Sequence, residues 1–154
     1  MSYVTTPIKT VTATPTISAG AYAAADRVGT VQTLAVGGEL VTLRTVTCLD
    51  KGDQAAELKV HFFSSLPTIA SADNAKLDIT DAEAEKYVGT VVVGNTAYDM
   101  DATNNQSASE TGLSLDIDTT DGNVYAIVQA VGTPTYGSTS ALVFKYAFTV
   151  NHAV

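Results

Sequence analysis

Among the residues able to do chemistry, one acidic group stands out by its spacing. Asp99, Asp101, Thr103 and Glu110 fall at positions 1, 3, 5 and 12 of a twelve-residue stretch, the order in which oxygen ligands surround calcium in a helix-flanked loop. The stretch departs from that pattern at position 6, Asn104 in place of a turn-making glycine, and at position 8, Gln106 in place of an apolar residue. Its flanks read as strand or coil, so the expectation is a flexible Asn/Ser/Thr-rich loop, with these four residues as a calcium candidate and no other metal site.

The remaining chemistry is sparse. Nucleophilic hydrolysis needs a Ser or Cys beside a base, yet the only histidines are His61 and His152 and neither neighbours a G-x-S-x-G elbow. His61 is expected on the wetted face of a strand and His152 just beyond the last one. Cys48, the single cysteine, has no nearby histidine or cation to activate it and reads as a small buried hydrophobe. No phosphate-cradling glycine motif occurs, and Gly37-Gly38 precedes a strand rather than a helix. The many carboxylates lie in turns and on polar strand faces, where solvation accounts for them. The reading is a protein with no catalytic residues and no cofactor.

Composition narrows the class further. At 154 residues the chain fits one domain with one core. With 45% hydrophobic and only 16% charged residues, it is too apolar to be disordered and too poor in charge to coat a free monomer fully, which implies a partner. The formal charge of −8 and the absence of any basic cluster argue against nucleic-acid binding. Residues 1–77 carry six basic and six acidic groups, and residues 78–154 carry two and ten, so the net charge belongs to the second half. One cysteine cannot form an internal disulfide, which fits folding in a reducing cytoplasm. No apolar run has the length of a membrane span, and the N-terminus lacks the features of a secretory signal.

The elements that would position these residues are strands. Candidates at Val28–Val36, Leu40–Leu49, Glu57–Phe63, Tyr87–Val93, Gly112–Asp118, Asn123–Val131 and Ala141–Val150 are separated by Gly, Asn, Asp and Pro signals. Leu58, Val60 and Phe62 alternate with Glu57, Lys59 and His61, giving one apolar and one wetted face. The last strand, with Leu142, Phe144, Tyr146, Phe148 and Val150 on one side, is expected to be central. Asp121-Gly122 predicts a hairpin from Gly112 to Val131. Thr80 and Glu83 form a capping box for one short acidic helix, with Glu83 reaching back. Residues 1–25 hold Pro7 and Pro15 and few large apolar groups, and read as an extended N-terminal arm ahead of a domain at 26–154. The fold class is all-β: a β-sandwich of jelly-roll or Greek-key type with one short helix.

Several segments resemble a known class. Phe62-Phe63-Ser64-Ser65-Leu66-Pro67-Thr68 is followed by Ala72-Asp73-Asn74-Ala75, the acidic helix and Tyr87-Val88-Gly89. With the opening Ala21-Tyr22-Ala23-Ala24-Ala25-Asp26-Arg27-Val28-Gly29 and the loop from Gly132 to Ser140, this succession is similar to small proteins of tailed-phage structural gene clusters. The resemblance, spanning residues 21–140, implies a capsid cement or decoration protein. Such a protein would sit on the outside of the virion between capsomers, commonly as a homotrimer, with the major capsid protein as partner. Folding in the host cytoplasm is implied, and no membrane or nucleic-acid partner. An arm that adds a strand or fills a groove would bridge capsomers, and Tyr3, Val4, Pro7, Ile8, Val11, Pro15 and Ile17 are its candidate contacts. The alternative is a glycan- or receptor-binding sandwich with Tyr98 and Tyr136 as stacking platforms, an idea disfavoured by the absence of tryptophan and by only 7% aromatic residues.

Overall fold

The computed structural model describes residues 7–151. In chain order they form β1 (Ile8–Ala13), β2 (Gly20–Ala21), β3 (Arg27–Ala35), β4 (Leu40–Asp50), β5 (Leu58–Phe63), α1 (Asp81–Ala84), β6 (Tyr87–Val93), β7 (Tyr98–Ala102), β8 (Asn105–Glu110), β9 (Leu115–Asp118), β10 (Asn123–Ala130), β11 (Thr135–Tyr136) and β12 (Leu142–Asn151). A 3-10 turn at Asn95–Ala97 precedes β7. The larger sheet has the order β1-β12-β4-β8-β7, with β9 also paired to β4, and the smaller has the order β3-β10-β5-β6. Without the β7–β8 hairpin the two orders are β1-β12-β4-β9 and β3-β10-β5-β6. Apart from β5 and β6, successive strands switch sheets, which is the jelly-roll arrangement.

The seven strand candidates all form, because in each the apolar side faces the opposite sheet. Leu58, Val60 and Phe62 are buried while Lys59 and His61 turn outward. On β12, Leu142, Phe144, Tyr146, Phe148 and Val150 are buried, and the strand lies between β1 and β4 as its length suggests. The layers interlock where Phe62 meets Tyr146 edge-on at 5.8 Å, and within β12 Phe144 stacks on Tyr146 at 6.1 Å. The Tyr146 hydroxyl donates to Gln32 Oε1 at 2.8 Å, so β12 and β3 are joined across the core. A second cluster, Phe63, Tyr125 and Ile127, lies on the outer face of the smaller sheet against Val31, Leu77 and Ile79. The long connection between β5 and β6 supplies Leu77 and Ile79 and shields this face from water.

Four expectations change. Asp121-Gly122 is a turn, with Gly122 at φ +78°, but it joins the sheets instead of closing a hairpin: β9 pairs with β4, and β10 pairs with β3 and β5. Turn chemistry reverses the chain without deciding which neighbour each strand bonds. Thr80 caps α1 as expected, accepting from the Glu83 amide at 3.4 Å. Glu83, however, does not reach back. Its carboxylate accepts from the Thr68 amide at 2.7 Å and from Lys86 Nζ at 2.8 Å.

The stretch from Tyr98 to Glu110 is a β-hairpin, not a loop, with β7 and β8 in register from Met100↔Ser107 to Ala102↔Asn105. Thr103-Asn104 forms its turn, and Asn104 adopts φ +70°. The N-terminal segment also differs from a free arm within the described residues. β1 pairs along its whole length with β12, from Ile8↔Thr149 to Ala13↔Phe144. Pro15 and Ile17 are buried, because the chain beyond β1 crosses to the smaller sheet, where the Thr30 amide donates to Thr16 O at 3.2 Å. The segment is therefore a strap that seals one side of the sandwich. Tyr3, Val4 and His152 lie outside the described residues.

Candidate functional site

The residues singled out for chemistry are held apart by the fold. Asp99 and Asp101 belong to β7, Thr103 to the turn and Glu110 to the far end of β8. Thr103 stands in the turn and Glu110 at the end of the six-residue β8, roughly 17 Å along that strand, so the calcium spacing is drawn out along a hairpin. Among the described residues no group of three His, Cys, Asp or Glu side chains stands close enough to hold a metal ion.

His61 sits on the outward face of β5, as expected, and ties three strands together. Its Nδ1 is 2.7 Å from Thr90 Oγ1 on β6, and its Nε2 is 3.0 Å from Gln129 Oε1 on β10. The amide acceptor requires Nε2 to carry the proton, so Nδ1 accepts from the threonine hydroxyl. Burial lowers the imidazole pKa below its ordinary value, consistent with a neutral, fully bonded ring. Cys48 is buried, and desolvation pushes its thiol up to about 12; it is an inert apolar group.

Two carboxylates, Asp50 and Asp73, organise the chain around them. Asp50, fully buried, accepts from the amides of Gly52 (2.8 Å), Gln54 (3.0 Å) and Ala55 (2.9 Å), which shapes the turn after β4. Asp73 accepts from Ser18 Oγ at 2.6 Å, the Tyr22 hydroxyl at 2.8 Å and the Gly29 amide at 2.6 Å. Around it, the Asn74 amide donates to Arg27 O, the Arg27 amide to Ala75 O and the Leu77 amide to Ala25 O. The Tyr22-to-Gly29 opening and the Asp73-Asn74-Ala75 segment, separated in sequence, thus form one hydrogen-bonded knot.

The third motif segment joins the same end. β11 pairs with β2, the Tyr22 amide donates to Pro134 O at 2.8 Å, and Tyr22 meets Tyr136 edge-on at 6.0 Å. A shallow depression of about 310 Å³ beside this loop is lined by Lys51, Gly52, Gly137, Ser138, Ser140 and Ala141, with neither imidazole nor carboxylate. The two proposed glycan platforms are unsuited to stacking: Tyr136 is 1% exposed, and the Tyr98 hydroxyl donates to Ala56 O at 2.9 Å beside Cys48.

What remains available is a surface that sequence reasoning missed, the outer face of the larger sheet. Pairing aligns Thr10, Ala147 and Thr45 in one row and Thr12, Lys145, Thr47 and Ser109 in the next. Ile8, Leu40 and Met100, at 72%, 44% and 46% exposure, border the same face. Arg44, whose Nε donates to Thr149 Oγ1 at 3.3 Å, and Lys145 are its cations, and Asp116 and Asp118 stand at the β9 corner. This face is close to neutral in a chain of charge −8. Alternation on β12 and β4 signalled it, since the side opposite the apolar one is threonine-rich instead of charged.

Comparison with known proteins gives no matching family model and no matching curated protein.

Proposed function

We propose that this protein is a non-catalytic structural subunit that binds the outside of a tailed-phage capsid and bridges neighbouring capsomers, with the major capsid protein as partner. The observation that carries this reading is the outer face of the larger sheet: broad, hydroxyl-lined and close to neutral, its two cations matched by two acids, with Ile8, Leu40 and Met100 exposed at its borders. Such a face loses little on desolvation and suits a flat protein surface better than a small molecule or a polyanion. The Tyr22, Asp73 and Tyr136 segments that resemble the phage class hold the strap in place through Ser18 on Asp73 and the Ile17 amide on Thr139 O. Many copies on one shell make modest individual contacts effective.

Co-sedimentation with emptied tailed-phage shells tests the reading, using the shell whose major capsid protein is encoded beside this chain. The full chain should pellet with shells and raise their melting temperature. Charge placed on the face, as in Thr47→Glu combined with Ile8→Asp, should weaken pelleting by about tenfold or more while the far-UV spectrum is unchanged. Absence of pelleting with that shell, or pelleting indifferent to these substitutions, would overturn it.

A further inference from the structure

Asp121-Gly122 is the one Asp-Gly pair in the sequence, and no Asn-Gly pair occurs. Such pairs are where a polypeptide rearranges unaided: glycine carries no side chain to shield its amide and its backbone turns freely, so its nitrogen can reach the side-chain carbonyl carbon of the residue before it. In the fold this pair forms the turn between β9 and β10. Asp121 is exposed, and Gly122 adopts φ +78°.

The turn is also a junction. Gly122 O accepts from the Val36 amide at 3.1 Å and from the Gly37 amide at 3.0 Å, which ties it to the connection between β3 and β4. The Asp121 carboxylate is held at both oxygens. Its Oδ1 accepts from the Asn123 amide at 3.0 Å and its Oδ2 from the Tyr125 hydroxyl at 2.5 Å. Tyr125 is itself fixed, because it is buried with Phe63 and Ile127 against Leu77 and Ile79.

We propose that Asp121-Gly122 is a site of spontaneous isoaspartate formation and that Tyr125 is the residue that restrains it. In the first step the Gly122 nitrogen attacks Asp121 Cγ. A C–N bond forms, the nitrogen gives up its proton and the carboxyl hydroxyl leaves as water, which closes a five-membered succinimide. Water then adds to one of the two ring carbonyls. Opening at the side-chain carbonyl restores aspartate, and opening at the main-chain carbonyl routes the backbone through the side chain as isoaspartate. One water leaves and one returns, so no co-reactant is needed.

The reactive form is the neutral acid, since a carboxylate has no hydroxyl to release as water. Hydrogen bonds donated to the carboxylate favour the ionised form, and the bond from Tyr125 is the foremost cause that holds this carboxyl below its ordinary value. Tyr125 and Asn123 are the groups that act on it, and among the described residues no charged side chain bonds to it. Isoaspartate adds a carbon to the main chain beside the carbonyl that holds Val36 and Gly37, so the modification loosens this junction.

Prolonged incubation of the full chain at mildly acidic pH, followed by peptide mapping that separates aspartate from isoaspartate, tests the proposal. Isoaspartate is expected at residue 121, forming slowly in the native sequence and at least about twofold faster in Tyr125→Phe. D121E should abolish it, because glutamate would have to close a slower six-membered ring. A turn that is merely looser would speed the reaction alike at every pH. Loss of the Tyr125 bond instead also moves the pH above which the rate falls off, and in Tyr125→Phe that fall-off should lie at higher pH than in the native sequence. If Tyr125→Phe does not fold, the native sequence is compared with itself in concentrated urea, where the fall-off should again lie higher. Absence of isoaspartate at residue 121 from both proteins, a rate unchanged by Tyr125→Phe, or an unmoved fall-off in the comparison made would overturn the proposal.

Discussion

Asp73 accepts hydrogen bonds from Ser18, Tyr22 and Gly29, so its removal leaves the Gly29 amide and the Tyr22 hydroxyl without their acceptor. Asp73→Ala should cost about 2–4 kcal/mol in urea unfolding, and Asp73→Asn, which keeps one acceptor oxygen, should cost less. Tyrosine supplies a second residue-scale effect. Burial and the bond to Asp73 push the Tyr22 hydroxyl up to about 12, and burial pushes Tyr98, Tyr136 and Tyr146 up as well. The fold keeps these groups protonated to a higher pH than the unfolded chain does. Their contribution to stability is therefore complete below pH 10, the ordinary tyrosine value, and is lost as pH rises beyond it. Melting temperature measured across alkaline pH should fall above that point. His61 acts at the other end: its lowered pKa means that the unfolded chain takes up a proton first as pH falls through 6.5. Stability should decline below that pH, and His61→Gln should flatten the decline.

At the scale of elements, the strap and its glycine carry the clearest test. Gly29 has φ +80°, and a Cβ there would lie 2.9 Å from Ile17 Cγ2 and 3.0 Å from Pro15 Cβ. Gly29→Ala should thus destabilise by about 1–3 kcal/mol. Deleting residues 1–20 removes β1 together with the buried Pro15 and Ile17 and should lower the melting temperature sharply, whereas deleting residues 1–6 isolates any contribution of Tyr3 and Val4 to shell binding. On β12, Phe144→Ala should cost about 3–5 kcal/mol, because the ring is wholly buried.

Strands of this kind are legible in sequence where two-residue alternation contrasts oil with water, as in Leu58 to Phe62 and Leu142 to Val150. The β7–β8 hairpin is not, because Asn105 to Glu110 buries only Ala108 and shows no such contrast. Its acidic spacing also misleads: a step of two residues is both a calcium-loop interval and the repeat of a strand. The strap looks like a free arm in sequence because its two large buried groups, Pro15 and Ile17, are held by β3 and by the loop after β11, whose Thr139 O accepts from the Ile17 amide at 3.0 Å. That partnership is set by distant sequence and leaves no local mark.

For the molecule as a whole, the uneven charge gains a spatial sense. The carboxylates of Asp50 and Asp73 are turned to internal amides, while most of the surplus acid from Asp78 onward decorates α1, β7, β9 and the turn before β10. The broad face of the larger sheet stays nearly neutral, so its association with another protein should depend only weakly on salt, a property that pelleting at two ionic strengths can measure. One consequence follows from the partnership of β1 with β12. A ribosome releases the first of these strands long before the second, so the larger sheet waits for the synthesis of β12 while β1 stays unpaired. Refolding from denaturant should accordingly be slow for a chain of this size, on the order of milliseconds to seconds, as stopped-flow fluorescence would measure.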